Sequence, residues 1–194
     1  MTLQLPPGPF DAYLFDCDGT IADSMPVHLL AWNAALRPEG AHFPEDLFYA
    51  WAGRPTEHIV ELLNEHFGLA MDFRLISDRK EQHYFSFLPQ VQPVPEVVAH
   101  IHEAHGRIPL AVVSGSPRES VLTTLRNFQL ETYFGCIVGA EDSPRGKPAP
   151  DPFLVAARSL GVDPRRCLVF EDAELGIQSA EAAGMRWVRV VPRR

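Results

Sequence analysis

An apolar segment that ends abruptly in two acids constrains the fold of this chain more than any other feature. Residues 13–20 read Tyr-Leu-Phe-Asp-Cys-Asp-Gly-Thr, so Asp16 and Asp18 follow directly on a β-favouring run. Unpaired carboxylates lose too much hydration inside a sheet, whereas the carboxyl end of a parallel strand is where α/β sheets bind ligands. Acids there can bind a hard cation, attack phosphorus or transfer a proton. Taken alone, the bare pattern Asp-x-Asp favours an acidic turn without a catalytic role.

Five segments rich in Val, Ile, Leu or Phe lack polar alternation, which is typical of strands covered on both faces of a parallel sheet. They are residues 13–15, 109–114, 136–140, 167–170 and 186–191. Helices are predicted between them at 95–106, 116–128, 151–161 and 173–184, and Ser116 to Glu119 has the pattern of a capping box with proline at the first helical position. Alternating strands and helices predict right-handed βαβ units, and hence an α/β fold with a Rossmann-like parallel five-stranded sheet.

Residues 23–91 interrupt this alternation with helical patterns alone. Helices are predicted at 24–36, 55–67 and 72–88, without a β-run between them. A proline-rich stretch at 89–95 is interpreted as the return hinge. The sequence therefore predicts two domains: a Rossmann-like core formed by residues 1–22 and 92–194, and an inserted α-helical domain formed by residues 23–91.

Composition and charge narrow the classes of partner. The chain has 194 residues, 46% of them hydrophobic, and a formal net charge of −8. That charge disfavours nucleic acid and anionic membranes as partners. We see neither a signal peptide nor a run long enough to span a membrane. Three cysteines without metal-like spacing favour a reduced, cytoplasmic protein.

Chemistry-bearing residues follow the other predicted strands as well. Ser114, Gly115 and Ser116 precede a helix and offer hydroxyl and backbone N–H groups suited to phosphate. Lys147 stands between Gly146 and two prolines, and the pair Glu171-Asp172 ends the fourth strand. Each feature alone has a simpler interpretation: a helix cap at Ser116, a solvated charge at Lys147, a helix start at Glu171. Their occurrence at four strand ends of one sheet favours a functional site.

Four motifs in this order resemble the haloacid dehalogenase superfamily of phosphotransferases, over residues 10–191. They are residues 16–20, 113–116, 146–151 and 170–177. The helical insertion after the first motif resembles the α-helical cap of the β-phosphoglucomutase-like and fructose-1-phosphate phosphatase-like branch. Asp18 and the Glu171-Asp172 pair argue against dehalogenation itself.

The resemblance implies a role for each matching residue. Asp16 would be the nucleophile that forms an aspartyl-phosphate, and Asp18 the general acid and base. Ser114 and Lys147 would hold the phosphoryl oxygens. Mg²⁺ would lie between Asp16, the Asp18 main-chain carbonyl and Asp172, with Glu171 as a ligand through water or as an orienting group.

The expected activity is hydrolysis of small sugar phosphates by a Mg²⁺-dependent phosphatase, with β-phosphoglucomutase as the alternative. A non-catalytic phosphate-binding protein is the third hypothesis, although it would need no acid–base aspartate. Thr20 favours a phosphatase, because mutases of the family often carry valine there. Members of this size are often monomers, so a monomer is expected. The candidate substrate contacts in the insertion are His28, Gly53, Arg54, Thr56 and Lys80, of which His28 and Lys80 have surface positions as alternatives.

Overall fold

The computed structural model describes residues 3–52 and 54–191, which form two compact units. One unit comprises the described residues up to Asp23 and from Gln92 onward, and the other is Ser24–Val91. The predicted insertion, 23–91, differs from the second unit by one residue. Among the residues that the structure describes, none of the helices combines the length and apolar character needed to cross a membrane.

The first unit is a five-stranded parallel sheet with helices. In chain order, the strands of this unit are β1 Ala12–Phe15, β2 Ala22–Asp23, β3 Gln92–Pro93, β4 Leu110–Val113, β5 Cys136–Val138, β6 Cys167–Glu171 and β7 Arg186–Arg189. The short strands β2 and β3 pair with each other and lie outside the five-stranded sheet. The sheet order is β5-β4-β1-β6-β7, and all its neighbours are parallel. The α/β prediction and the five predicted strands are confirmed. The antiparallel ribbon β2–β3 is too short for a sequence pattern to reveal.

The described residues form eight α-helices: α1 Met25–Leu36, α2 Glu45–Ala50, α3 Thr56–Phe67, α4 Phe73–Phe87, α5 Pro95–Ala104, α6 Arg118–Asn127, α7 Asp151–Leu160 and α8 Glu174–Ala182. The first four lie in the helical unit and the other four in the sheet unit. All seven longer helices agree with the predicted bounds within two residues at each end, whereas α2, a six-residue helix, has no counterpart in the prediction.

Successive residues of the strands belong alternately to two hydrophobic clusters, one on each face of the sheet. Phe15, Val112 and Phe170 belong to one cluster, and the neighbouring residues Leu14 and Val169 belong to the other. All five are fully buried. Because both faces are covered, polar side chains of the central strands can reach solvent only at the strand ends.

The helical unit has its own apolar core. Trp32, Leu36, Phe43, Leu63 and Ile76 are buried together there. Helix α3 ends at Gly68, whose φ of +65° is the left-handed conformation that glycine adopts without steric cost.

The capping box predicted from Ser116 to Glu119 at the start of α6 is wrong. Helix α6 begins at Arg118, and Pro117 occupies the N-cap position in an extended conformation without a side-chain cap. The Arg118 N–H donates instead to the Glu141 carboxylate, at 3.1 Å and 3.2 Å. The Ser116 hydroxyl therefore does not cap the helix, since a residue two positions before its first turn lies outside capping position.

Candidate active site

Lys147 lies between two carboxylates that follow neighbouring strands. Its Nζ atom donates to Asp16 Oδ1 at 2.7 Å and to Glu171 Oε1 at 2.8 Å. The side chain is 6% exposed, against 8% for Asp16 and 2% for Glu171. Asp16 follows β1 and Glu171 ends β6, which pairs with β1. The ammonium thus holds together two acids that sheet pairing alone brings close.

Glu171 is saturated by donors of its own chain. Its second oxygen, Oε2, accepts the N–H groups of Asp172 at 2.8 Å and Ala173 at 3.4 Å. Gly176, in the first turn of α8, leaves the room for this carboxylate, because a Cβ there would lie 1.5 Å from Glu171 Oε1. Glu171 is therefore built to orient Lys147 and the turn that carries Asp172.

Asp172 has a close environment of small and polar groups. The Thr20 hydroxyl donates to Asp172 Oδ1 at 3.3 Å. Gly19 has a φ of +87°, and a Cβ there would lie 2.3 Å from Asp172 Oδ2. Arg189 donates to the Asp172 main-chain carbonyl at 3.1 Å and to Glu174 at 2.6 Å. Residues of the first motif, Gly19 and Thr20, thus pack directly against the carboxylate that follows β6.

The carboxylates outnumber the cations at this edge of the sheet. Ligand atoms of Asp16, Glu171 and Asp172 lie within 4.8 Å of one another. Burial and neighbouring acids raise the pKa of Asp16 well above its usual range and the pKa of Asp172 to about 7. Burial lowers the pKa of Lys147, but Asp16 and Glu171 outweigh it and raise the pKa overall. The lysine stays charged, and the excess of acids remains.

This donor set fits a hard divalent cation. The side-chain ligands of this cluster are all carboxylate oxygens, which Mg²⁺ and Ca²⁺ prefer. A bound divalent ion would also compensate the repulsion that raises the pKa of Asp16 and Asp172. The coarser expectation, an acidic cluster able to hold a metal ion, agrees with the structure.

The loop after β4 approaches the first motif from the other side, because β4 also pairs with β1. The Ser116 hydroxyl donates to Asp18 Oδ2 at 2.7 Å, and the Ser116 N–H donates to Ser114 Oγ at 3.0 Å. Ser114 is 4% exposed. The structure therefore brings Asp16, Asp18, Ser114, Ser116 and Lys147 together with the Glu171-Asp172 pair, with Gly115 between the two serines.

The candidates in the helical unit have local partners. His28 stacks on Tyr84 at 4.2 Å between ring centroids, and Lys80 Nζ lies 5.5 Å above the same ring and 2.6 Å from Glu81. Both His28 and Lys80 are buried, so the alternative of surface positions is wrong.

Two further candidate substrate contacts, Arg54 and Thr56, lie just before and at the start of α3. Arg54 Nη1 lies 3.0 Å from His58 Nε2, one helical turn further on. Thr56 is the first residue of α3, and Gly53 lies outside the described residues. Roles in substrate binding for these residues stay predictions.

Three positions of the site were given no role by sequence reasoning. Gly19 and Gly176 lay within recognised motifs, but only the packing against Asp172 and Glu171 gives a reason for glycine. Arg189 carried no signal, because its contact with Asp172 depends on the pairing of β7 with β6.

The comparisons with known proteins agree with this geometry. A family model described as haloacid dehalogenase-like hydrolase matches residues 10–184. Fructose-1-phosphate phosphatase YqaB of Escherichia coli (strain K12) is 38% identical over 178 residues, covering 91% of this chain and 94% of that protein. A phosphorylated carbohydrates phosphatase of Thermotoga maritima is 27% identical, covering 90% and 82%. The crystal structure of β-phosphoglucomutase from Clostridium difficile shares the fold, with a TM-score of 0.82 at 22% identity, covering 92% and 83%.

Proposed function

Because this chain belongs to the haloacid dehalogenase-like hydrolase family, we propose that it is a Mg²⁺-dependent phosphatase that acts on small sugar phosphates. Its membership makes it a hydrolase of phosphoric monoesters. The observation that carries the proposal is the buried contact of Lys147 with Asp16 and Glu171, beside the carboxylate of Asp172. A buried nucleophile, a fixed ammonium and an acidic cation site are what phosphoryl transfer requires.

In the first half of the proposed reaction, an Asp16 carboxylate oxygen attacks phosphorus in line. The bond from phosphorus to the sugar oxygen breaks, and Asp18 donates a proton to that oxygen. Lys147 and the Ser114 hydroxyl hold oxygens of the transferring phosphoryl group. The products are the free sugar and an aspartyl-phosphate on Asp16.

In the second half, water attacks the phosphorus of the aspartyl-phosphate. Asp18, now a carboxylate, takes a proton from that water, and the bond between phosphorus and the Asp16 oxygen breaks. Inorganic phosphate leaves and both aspartates return to their initial state. Because the same residue gives and then takes a proton, the cycle needs no further acid or base.

The residues that would hold Mg²⁺ are the Asp16 and Asp172 carboxylates and the Asp18 main-chain carbonyl. A bound Mg²⁺ supplies positive charge that reduces the repulsion between the phosphate group and Asp16. Glu171 contributes by fixing Lys147, with both of its oxygens already engaged.

The substrate class follows from the relatives. The E. coli relative is named for fructose 1-phosphate and the T. maritima relative for phosphorylated carbohydrates. We therefore propose a hexose or pentose monophosphate as substrate.

We further propose that the enzyme is monomeric and cytoplasmic. Its three free thiols are suited to a reducing compartment such as the cytoplasm. Size-exclusion chromatography tests the monomer.

The test incubates the purified protein with Mg²⁺ and a panel of sugar phosphates, and follows both inorganic phosphate and isomerised sugar. Release of phosphate that stops with EDTA supports the proposal. Conversion of β-glucose 1-phosphate to glucose 6-phosphate with little free phosphate would instead identify a mutase. Absence of turnover with every ester would favour a phosphate-binding protein.

A further inference from the structure

We propose that Ser116 is a positioning residue for Asp18, the acid–base residue of the proposed reaction, and that it ties Asp18 to the phosphoryl-binding Ser114. The inference rests on the proposed function, because it concerns how one of its proton-transfer groups is held. The juxtaposition that carries it is a hydroxyl 2.7 Å from Asp18 Oδ2, on a residue whose N–H contacts Ser114 Oγ.

The backbone of Ser116 is fixed on both sides. Its N–H donates to Ser114 Oγ at 3.0 Å, and its carbonyl accepts the N–H of Ala140 at 3.0 Å. Pro117 follows, and proline disfavours the helical region of backbone conformation for the residue before it. The Cβ of Ser116 therefore has a fixed place, and only rotation about one bond remains to aim the hydroxyl.

The hydroxyl is not engaged in building helix α6. The N-cap position belongs to Pro117, and the first N–H of the helix, that of Arg118, is bonded by Glu141. A serine at this place is thus free of the usual structural reason for serine before a helix. Its hydroxyl is directed to the carboxylate of Asp18 instead.

The main chain of Asp18 lies in a turn rather than in a strand, so its side-chain contacts contribute to the direction of its carboxylate. The turn is closed by the Gly19 N–H donating to the Ala22 carbonyl at 2.7 Å, with Gly19 at a φ of +87°. A carboxylate on a turn has rotamers that point in several directions. A hydrogen bond from a fixed donor selects one of these rotamers. Less conformational entropy of the side chain is then lost when substrate binds.

The same residue also orients Ser114. When Ser114 Oγ accepts the Ser116 N–H, its own hydrogen is left to donate, which is the direction a phosphoryl oxygen requires. Ser116 thus sets a proton-transfer group with its side chain and a phosphoryl-binding group with its backbone. Replacement by alanine removes only the first of these contacts.

The kinetic test compares Ser116→Ala with Ser116→Thr under Mg²⁺, using the best sugar phosphate of the panel. We expect alanine to lower kcat roughly 10- to 100-fold with KM changed less than about threefold, and threonine, which keeps the hydroxyl, to restore most of the loss. Ser159→Ala, at an exposed site on α7, is the matched control and should match the wild type. Thermal denaturation of all variants checks folding.

A second measurement separates a proton-transfer role from a general one. p-Nitrophenyl phosphate has a weakly basic leaving group that needs little protonation, so first-turnover release of nitrophenolate should change less than about threefold in Ser116→Ala. Equal losses for nitrophenolate release and for the sugar phosphate would overturn the inference. Wild-type kcat in Ser116→Ala, or a threonine variant as slow as alanine, would also overturn it while the proposed function stood. Absence of turnover by the wild type would remove both.

Discussion

Two buried lysines with short contacts to carboxylates occupy different units of the molecule and differ in what they connect. Lys147 has a side chain 6% exposed and joins Asp16 and Glu171, which are 131 and 24 residues away in sequence. Lys80 has a side chain 8% exposed and bonds Glu81, its neighbour in the chain. The first contact exists only because the sheet is folded, whereas the second is available within a single helix.

The comparison shows why burial alone does not identify a catalytic lysine. Without the ammonium of Lys147, no positive charge would offset the repulsion between the buried carboxylates of Asp16 and Glu171. Removal of one partner of a buried ion pair is strongly destabilising. The ammonium of Lys80 lies over the ring of Tyr84 and beside the half-buried carboxylate of Glu81. These contacts hold the charged group while the aliphatic part of the side chain stays packed. We therefore propose that, of the two lysines, Lys147 is the one that compensates charge at the reaction centre.

The largest difference is expected between Lys147→Met and Lys80→Met. Loss of the ammonium that holds phosphoryl oxygens should lower kcat by about 10²- to 10³-fold. Lys80→Met should lower kcat/KM less than about tenfold. Steady-state phosphate release at saturating Mg²⁺ measures both.

Circular dichroism is the control for folding in that pair. A Lys147→Met protein that is folded and as active as the wild type would show that Lys147 has no larger part in catalysis than Lys80. Equal losses in the two variants would instead place Lys80 in the chemistry.

The site residues of the sheet unit could be predicted from sequence because each follows an apolar strand. Parallel pairing brings such strand ends to one edge, so Asp16, Ser114 and Glu171 are expected to converge once the strands are recognised. Lys147 instead reaches them from the loop between β5 and α7. The helical unit offered no comparable rule. The contacts of His28 with Tyr84 and of Arg54 with His58 depend on helix packing and side-chain rotamers, which an apolar pattern does not specify.

Contacts that depend on tight packing were equally hidden. Gly176→Ala should push Glu171 away from Lys147, since the new Cβ would lie 1.5 Å from Oε1 and the carboxylate cannot yield without losing its N–H donors. We expect kcat to fall roughly tenfold or more, with stability lower by about 1–3 kcal/mol. Gly135→Ala is the matched control, because its Cβ would meet only ordinary contacts at 3.5 Å and 3.9 Å. Phosphate release and urea denaturation measure the two effects, and a fully active Gly176→Ala would contradict the proposed role of Glu171.

The acidic excess around Lys147 predicts an unusual stability profile. The folded-state pKa of Asp172 is raised to about 7 by burial and by Glu171, above the 3.8 of the unfolded chain. The folded protein therefore binds more protons between these values, and this group lowers the free energy of unfolding as pH rises from about 4 to 7. Without added Mg²⁺, Asp172→Asn should be more stable than the wild type at pH 8, on the order of 1–3 kcal/mol, with no advantage at pH 4.

Urea titrations at the two pH values measure that difference. With Mg²⁺ added at pH 8, the wild type should gain thermal stability and Asp172→Asn should gain less. An Asp172→Asn protein less stable than the wild type at pH 8 without Mg²⁺ would show that the carboxylate is not under electrostatic strain.

The smallest effect is expected at Thr20. Valine has nearly the same shape but cannot donate to Asp172 Oδ1, a contact of 3.3 Å. Loss of one such hydrogen bond is worth about 1 kcal/mol, so Thr20→Val should need about fivefold more Mg²⁺ for half-maximal activity. A Mg²⁺ titration of phosphate release measures this, and an unchanged requirement would limit Thr20 to packing. The ratio of isomerised sugar to phosphate in the same assay tests its bearing on the choice between phosphatase and mutase.

In the proposed mechanism, Asp16, held by Lys147, is the group that attacks phosphorus. The most direct test of this role is the rate of phosphate release by Asp16→Asn, measured with Mg²⁺ beside Asp11→Asn, which changes an exposed acid paired with Arg166 in the same unit. We predict that Asp16→Asn releases no phosphate above background while Asp11→Asn keeps the wild-type rate. Phosphate release by a folded Asp16→Asn protein at a rate near that of the wild type would contradict the account.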